Sequence, residues 1–169
     1  KIFNEDGVSI HQESGELVCC NPFPSMPVGF WDDDNNEKYY SAYFKKYSGV
    51  WAHGDYAEVT SENGLIIHGR SDAVLNPGGV RIGTAEIYRQ VEKLEEILES
   101  IAIAQELESD TRIILFVVIK DGFELDINLK KIIKDMIRKN TTPRHVPEVI
   151  LDVPDIPRTI SGKIVELAV

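Results

Sequence analysis

Basic charge is what this sequence lacks first: 18 Lys and Arg stand against 28 Asp and Glu, a formal net charge of −10. A field of that sign repels phosphate backbones, which excludes a general nucleic-acid binder. Long apolar runs are missing as well. The longest, Ile113-Ile114-Leu115-Phe116-Val117-Val118-Ile119, is far short of the ~20 residues of a membrane span and suits a buried strand. Cysteine is confined to the adjacent pair Cys19-Cys20. Neighbours bridge only with strain and two residues make no metal framework, so both read as reduced thiols of a cytosolic chain. Repeats and low-complexity segments are absent. So are an initiating methionine, a signal peptide and a polar tail after Leu167-Ala168-Val169, and a fragment of a longer chain is expected.

What is present is an ordinary globular balance. The 169 residues are 43% hydrophobic and 27% charged, enough for one domain or one and a half with a core that needs no covalent staples. The acidic surplus is uneven. Residues 1–72 hold 5 basic and 12 acidic side chains, whereas residues 73–169 hold 13 and 16. In the second part Lys130, Lys131, Lys134, Arg138, Lys139 and Arg144 meet only Asp135 between positions 128 and 146.

The first thirty residues read as strands and turns, with a strand at 16–19 and a proline-stiffened loop at 21–27. Residues 37–47 read as a short helix with Tyr40, Tyr43, Phe44 and Tyr47 on one packing face. A strand at 56–60, an Asn63-Gly64 turn and a return strand at 65–69 follow. A second hairpin is expected from 73–76 and 80–83 around Pro77-Gly78-Gly79. Thr84 is suited to cap a helix reaching about position 98, with Ile87, Val91, Leu94 and Leu98 as its stripe and Glu86 near its positive end. Strands at 100–106 and 112–120 enclose an acidic turn. The strongest helix is 125–139, where Leu129, Ile132, Ile133, Met136 and Ile137 form one face beside a basic ridge of Lys130, Lys134 and Arg138. A last strand at 149–151 precedes a polar turn at 158–163. Hairpin, helix, strand, strand, helix, strand is a small α+β domain with helices on a three-stranded sheet. Its boundary with the preceding part falls at 70–72, where no proline or glycine linker marks it.

Four clusters carry chemistry. In Trp51-Ala52-His53-Gly54-Asp55 a carboxylate after glycine, in a loop entering a strand, can accept both hydroxyls of a ribose. A turn aspartate fits the same residues. In Gly69-Arg70-Ser71-Asp72 the arginine can meet a ribose oxygen or a phosphate, and a plain polar turn fits equally. Asn76-Pro77-Gly78-Gly79-Val80-Arg81-Ile82-Gly83 exposes backbone N–H groups beside a cation and can cradle an anion. It has neither the strand–glycine–helix setting of a dinucleotide fingerprint nor a P-loop lysine, and a simple hairpin fits it too. In Pro157-Arg158-Thr159-Ile160-Ser161-Gly162-Lys163 a lysine on a flexible turn can bring a point charge to a developing anion, or can be a solvated side chain.

In this order and spacing, His-Gly-Asp, Gly-Arg-Ser-Asp, Gly-Gly-Val-Arg-Ile-Gly-Thr-Ala-Glu-Ile and Pro-Arg-Thr-Ile-Ser-Gly-Lys resemble the C-terminal third of the acyl-adenylate-forming acyl-CoA synthetase superfamily. The phrases at 22–31, 70–79 and 153–159 resemble its acetoacetate-activating branch more than the acetate-activating one. The resemblance covers nearly the whole chain. It implies a ligase that joins acetoacetate to ATP, giving an acyl-adenylate and pyrophosphate, and then transfers the acyl group to coenzyme A, giving a thioester and AMP. It implies that residues 1–70 end a large, β-rich N-terminal adenylation domain, that 71–72 form a hinge, and that 73–169 are most of a small mobile C-terminal domain.

The same resemblance assigns roles. Asp55, Arg70 and Arg81 match residues that bind ATP and AMP, at the ribose hydroxyls, the nucleotide and the phosphates respectively. Gly78, Gly79 and Arg138 match coenzyme A contacts, Asp72 the hinge residue, and Lys163 the catalytic lysine between carboxylate and α-phosphate. Two departures follow. Gly78 stands where the acetate-activating relative has a polar residue, so contact there falls to the backbone. No histidine follows Arg81 to hold a structural cation, so no metal site is expected in this chain, although Mg²⁺ accompanies ATP in the whole enzyme. The expected partners are acetoacetate, ATP, coenzyme A and the N-terminal domain of the same chain, with no nucleic acid and no membrane span, in the cytoplasm. Another short-chain acid as substrate, or a stand-alone binding or regulatory module of this fold, are the alternatives.

Overall fold

The computed structural model describes residues 1–107 and 111–169, so the acidic turn expected before position 111 lies largely outside the described residues. The chain divides into two compact units, Lys1–Ile67 and His68–Val169.

The first unit is built on a sheet of order β2-β1-β3-β4-β5. Its strands are β1 (Ile2–Phe3), β2 (Ser9–Ile10), β3 (Ser14–Cys19), β4 (Trp51–Val59) and β5 (Leu65–Arg70), with α1 (Glu37–Tyr43) between β3 and β4. β1 pairs antiparallel with β2 and β3, and β3 pairs antiparallel with β4. Val18, Tyr47 and Ala52 form its small core with Phe3 and Val50. β4 begins at Trp51 instead of 56, so Asp55 stands in a strand and not in a loop. The cause is a bulge. Register shifts between Glu16 and Val18, Gly54 takes φ 84, and the buried Glu16 carboxylate accepts the Gly54 N–H at 2.8 Å.

Helix α1 is shorter than its aromatic spacing suggests. Phe44 leaves helical geometry, and its N–H and that of Lys45 share the Tyr40 carbonyl at 2.8 and 3.0 Å. Tyr39, absent from the expected face, packs edge-on to Trp51, while Tyr40 is half exposed. Trp51 is the common partner: Tyr43 stacks on it at 3.6 Å and Phe23 meets it edge-on at 5.3 Å. Tyr47 lies beyond the helix, buried, with its hydroxyl donating to the Asn4 carbonyl at 2.8 Å. β5 carries the chain into the second unit.

The second unit holds α2 (Thr84–Val91), β6 (Ile97–Glu106), β7 (Thr111–Ile119), α3 (Ile127–Asn140) and β8 (Val149–Asp152). Its three strands lie in the order β6-β7-β8. β6 and β7 pair antiparallel, from Ile97↔Ile119 to Glu106↔Thr111, and β8 runs parallel to β7, from Ile114↔Val149 to Val117↔Asp152. A parallel neighbour needs a crossover, which α3 supplies. Ile87, Val91, Leu115, Val117, Ile133 and Ile137 are fully buried in the main core, while Ile101, Val118 and Ile156 form a second cluster. β7 contributes to both, which is why its sequence is apolar without alternation.

Four expectations are corrected here. Helix α2 stops at Val91, because Lys93 and Leu94 close tight turns onto Gln90 and Val91; Leu98 lies in β6 and is exposed. Gly83, not Thr84, is the cap, and Thr84 Oγ1 donates to Glu166 at 3.2 Å. The second hairpin is a single bridge, with Leu75 and Ile82 exchanging hydrogen bonds of 2.9 and 2.8 Å around the helical turn Pro77–Gly79. Helix α3 begins two residues later than its periodicity indicates, because Asp126 accepts the Leu129 N–H at 2.7 Å and caps it. Among the described residues no helix is long and apolar enough to cross a membrane.

Candidate functional site

In the first unit Asp55 lies on β4, its carboxylate 3.4 Å from His53 Nε2. Its side chain is partly shielded and that of His53 is more exposed. The remaining candidates belong to the second unit. At its start Arg70 donates through Nε and Nη2 to the two carboxylate oxygens of Asp72, at 3.4 and 3.3 Å. Both side chains are about half exposed. Asp72 sits in the short helical turn Ser71–Ala73, where Ser71 Oγ is buried without a hydrogen-bond partner among the described residues.

Gly78 and Arg138 come together around an open cavity of about 490 Å³. Gly78 faces it from the Pro77–Gly79 turn, Lys134 and Arg138 from α3, Arg144 from the turn that follows α3, and Arg112 from β7. Glu148 is the one carboxylate among the described residues that line it. Four cations against one acid, in a chain of net charge −10, concentrate positive potential at this concavity. Three of the four have a local anchor: Lys134 Nζ donates to the Glu148 carbonyl at 2.9 Å, Arg112 Nε to Gln105 at 2.6 Å, and Arg138 to Asp135 at 3.0 Å. Gly78 and Gly79 have φ of 58 and 74, and a Cβ on either would meet nothing within 4 Å, so the space beside them is open. Arg112 and Arg144 carried no site assignment in the sequence, because they stand 32 residues apart.

Arg81 and Lys163 do not line that cavity. Arg81 is exposed one residue before the Leu75↔Ile82 bridge. Lys163 is exposed on a turn closed by the Arg158↔Ile164 bridge. The Thr159 N–H donates to the Lys163 carbonyl at 2.8 Å, the Lys163 N–H to Thr159 Oγ1 at 3.1 Å, and Arg158 to the Gly162 carbonyl at 2.9 Å. Arg158 also pairs with Glu99 of β6. The lysine therefore projects from an anchored base.

A buried cluster was not visible in the sequence. Glu86 Oε2 lies 3.1 Å from His145 Nε2, and Oε1 lies 3.3 Å from His68 Nδ1 and accepts the Gly83 N–H at 3.2 Å. Burial alone would raise this carboxyl, but hydrogen bonds from His145 and His68 outweigh it and hold the group well below the usual carboxylate range. The three side chains come from positions 68, 86 and 145, so no local spacing announces them. One imidazole, His145, is hydrogen-bonded to the carboxylate, and the second, His68, stands in contact with its other oxygen; among the described residues no group of three His, Cys, Asp or Glu could hold a metal ion.

No family model matches the chain. It is 56% identical over 168 residues to the acetoacetyl-coenzyme A synthetase of Rhizobium meliloti (strain 1021), covering 99% of this chain and 26% of that protein. It is 50% identical over 171 residues to the acetoacetyl-CoA synthetase of Xenopus tropicalis, covering 100% of this chain and 25% of that one. The solved acetoacetyl-CoA synthetase of Streptomyces lividans matches with a TM-score of 0.91 at 44% identity, over 98% of this chain and 25% of that chain. A benzoate CoA ligase from Burkholderia xenovorans LB400 matches with a TM-score of 0.82 at 23% identity, over 99% and 32%, and shares the fold. The chain spans about a quarter of the length of the curated relatives it matches. Similar along its whole length to acetoacetyl-CoA synthetases in sequence, and to a solved one in fold, the chain is the counterpart of their C-terminal portion.

Proposed function

We propose that the chain is the C-terminal portion of a cytoplasmic acid–thiol ligase that joins acetoacetate to ATP and passes the acyl group to coenzyme A, releasing pyrophosphate and AMP. One observation carries this reading beyond the likeness to relatives: the cavity that brings Gly78 and Arg138 together with Arg112, Lys134 and Arg144. Coenzyme A is a phosphate-rich substrate, and its chemistry fits such a donor set. Guanidinium groups bind phosphate oxygens in pairs, and Lys134 adds a point charge. The open space beside Gly78 and Gly79 offers an approach that side chains would obstruct.

The nucleotide falls to other residues in this proposal. Asp55 accepts the ribose hydroxyls, Arg70 contacts the nucleotide and Arg81 its phosphates. Lys163 places its ammonium where negative charge grows as the carboxylate meets the α-phosphate, which lowers the barrier to that step. Asp72 is the hinge between residues 1–70 and 73–169, so the second part turns between the two half-reactions. Mg²⁺ arrives with ATP, and no residue of this chain is assigned to it.

The test is a substrate panel on the full-length protein carrying this chain. Acid-dependent pyrophosphate exchange and acid-dependent thioester formation are measured with acetoacetate, acetate, propionate and butyrate. Acetoacetate is expected to give the highest kcat/KM in both. A preference for another acid would move the assignment to that acid, and thioester formation with none of them would remove it.

A further inference from the structure

We propose that Glu86 is a positioning residue, whose carboxylate, shared by His68, His145 and the Gly83 amide, fixes the wall of the cationic cavity against the strand end that leads to Arg70 and Asp72. This inference rests on the assignment of that cavity to coenzyme A. It adds a residue that touches no substrate and acts through its neighbours.

Three segments meet at the carboxylate. His68 lies near the end of β5, two residues before Arg70. Gly83 and Glu86 form the first turn of α2, where the Glu86 side chain reaches back to the Gly83 N–H. His145 closes the short turn Pro143–His145 after α3. Its flanking residues, Arg144 and Val146, both line the cavity. Both imidazole nitrogens of His145 are occupied, Nε2 by Glu86 at 3.1 Å and Nδ1 by Thr142 Oγ1 at 2.9 Å. With Glu86 ionised, Nε2 carries a proton toward the carboxylate, and Nδ1 is hydrogen-bonded with the Thr142 hydroxyl. The ring can then neither flip nor rotate without losing a partner, and the backbone bearing Arg144 turns with it.

The packing beneath is equally constrained. A Cβ on Gly83 would lie 2.3 Å from the His68 carbonyl oxygen and 2.4 Å from the His68 Cβ, so only glycine lets α2 begin this close to the strand. His68 and His145 are buried at 8% and 6% exposure. A charged group in such a place is not the most stabilising filling for a core; apolar residues of equal volume are often neutral or better. What a shared carboxylate provides is direction, because it holds two rings from two segments at once.

The test uses the full-length ligase, with coenzyme A as the probe. Glu86→Gln keeps the size and removes the charge. It is expected to raise the KM for coenzyme A roughly fivefold, as for a weakened charged hydrogen-bond network, while acetoacetate-dependent pyrophosphate exchange stays within about twofold. Glu86→Asp is expected to recover part of the affinity. A merely structural role would lower the melting temperature and reduce both half-reactions together, and that result would overturn the inference. Arg138→Ala is run beside it. If that variant raises the KM for coenzyme A and Glu86→Gln does not, the positioning role fails and the cavity assignment stands. If neither variant raises it, both fail. Should Glu86→Gln not fold, Thr142→Val removes only the second partner of His145, and an unchanged KM for coenzyme A in that variant overturns the inference as well. Nitrogen-15 NMR of the His145 ring supplies the signature: one Nε2–H tautomer in the native protein and a mixture in Glu86→Gln.

Discussion

Arg138 and Asp135 are joined on one face of α3, with Nη1 donating to Oδ1 at 3.0 Å, and both side chains are about half exposed. An ion pair so open to water is worth little to the fold. Its consequence lies at the cavity that Arg138 lines, where Asp135 competes with any phosphate for the same guanidinium. In the full-length ligase Arg138→Ala is expected to raise the KM for coenzyme A about tenfold, the loss of a charged hydrogen bond worth roughly 1.5–3 kcal/mol. Asp135→Asn is expected to shift it the other way, about twofold, by freeing the guanidinium. An unchanged KM in the first variant would return Arg138 to a solvated basic face.

Lys163 stands exposed on a turn whose base is anchored by Arg158 and Thr159. Replacing it with Ala is expected to slow adenylation by about 10²–10³-fold, since one charge contact made in the transition state is worth roughly 3–4 kcal/mol. Thioester formation from pre-made acyl-adenylate is expected to fall far less. Stopped-flow measurement of the two half-reactions separates them, and equal losses in both would remove the assigned role. A thermal melt checks that the turn still folds.

Much of the second unit was legible from residues alone. Helix α3 and strand β7 carry strong periodic or continuous apolar patterns, and both appear within two residues of their expected bounds. Boundaries failed where a side chain far off in sequence decided them. β4 extends back to Trp51 because Glu16, 38 residues away, takes the Gly54 N–H. α2 stops early because the chain must turn into β6, a demand of the sheet that the stripe of Ile87, Val91, Leu94 and Leu98 does not encode. The motifs marked Gly78 and Arg138 individually, but only the fold puts them on one cavity with Arg112 and Arg144. The cluster around Glu86 was hidden for the same reason: its partners are separated by 18 and 59 residues.

Asp72 lies within the tight turn Ser71–Ala73, flanked by Arg70 and Val74 in extended geometry. Proline at this position fixes one dihedral and drives the preceding residue away from the helical region. Asp72→Pro is expected to retain pyrophosphate exchange and to lose coenzyme A-dependent turnover, as one arrangement of a hinge is locked. Asp72→Ala, which removes the partner of Arg70 without restricting the backbone, distinguishes a lost carboxylate from lost freedom. Survival of both half-reactions in the proline variant would place the hinge elsewhere.

Gly83 has ordinary backbone dihedrals, φ −76 and ψ 133, so its requirement is space and not conformation. With the His68 backbone closer than any Cβ tolerates, Gly83→Ala must push α2 away from the strand end. The expected cost is about 1–3 kcal/mol of unfolding free energy, the usual range for overpacking. Urea unfolding measures it, and a midpoint equal to that of the native chain would show that the segment yields freely.

Glu86 links the same cluster to pH. Burial opposes its ionisation, the hydrogen bonds from His145 and His68 favour it more, and the folded group ionises well below its ordinary range. In the unfolded chain a glutamate titrates near ~4.3. A group depressed in the folded state contributes stability that is fully present above the unfolded value. That contribution is lost as pH falls from there through the folded value, because protons then bind the unfolded chain first. The carboxylate is partly screened, its side chain 29% exposed, which limits the size of the effect but not its sign. Urea midpoints for the native chain and Glu86→Gln, measured from neutral pH down into the acid range, are expected to differ most above the ordinary glutamate range. The gap is expected to close below it, where protonation removes from the native cluster the acceptor that His68 and His145 share. Parallel curves through the acid range would mean that this carboxyl titrates alike in both states, and that the two histidines do not hold it.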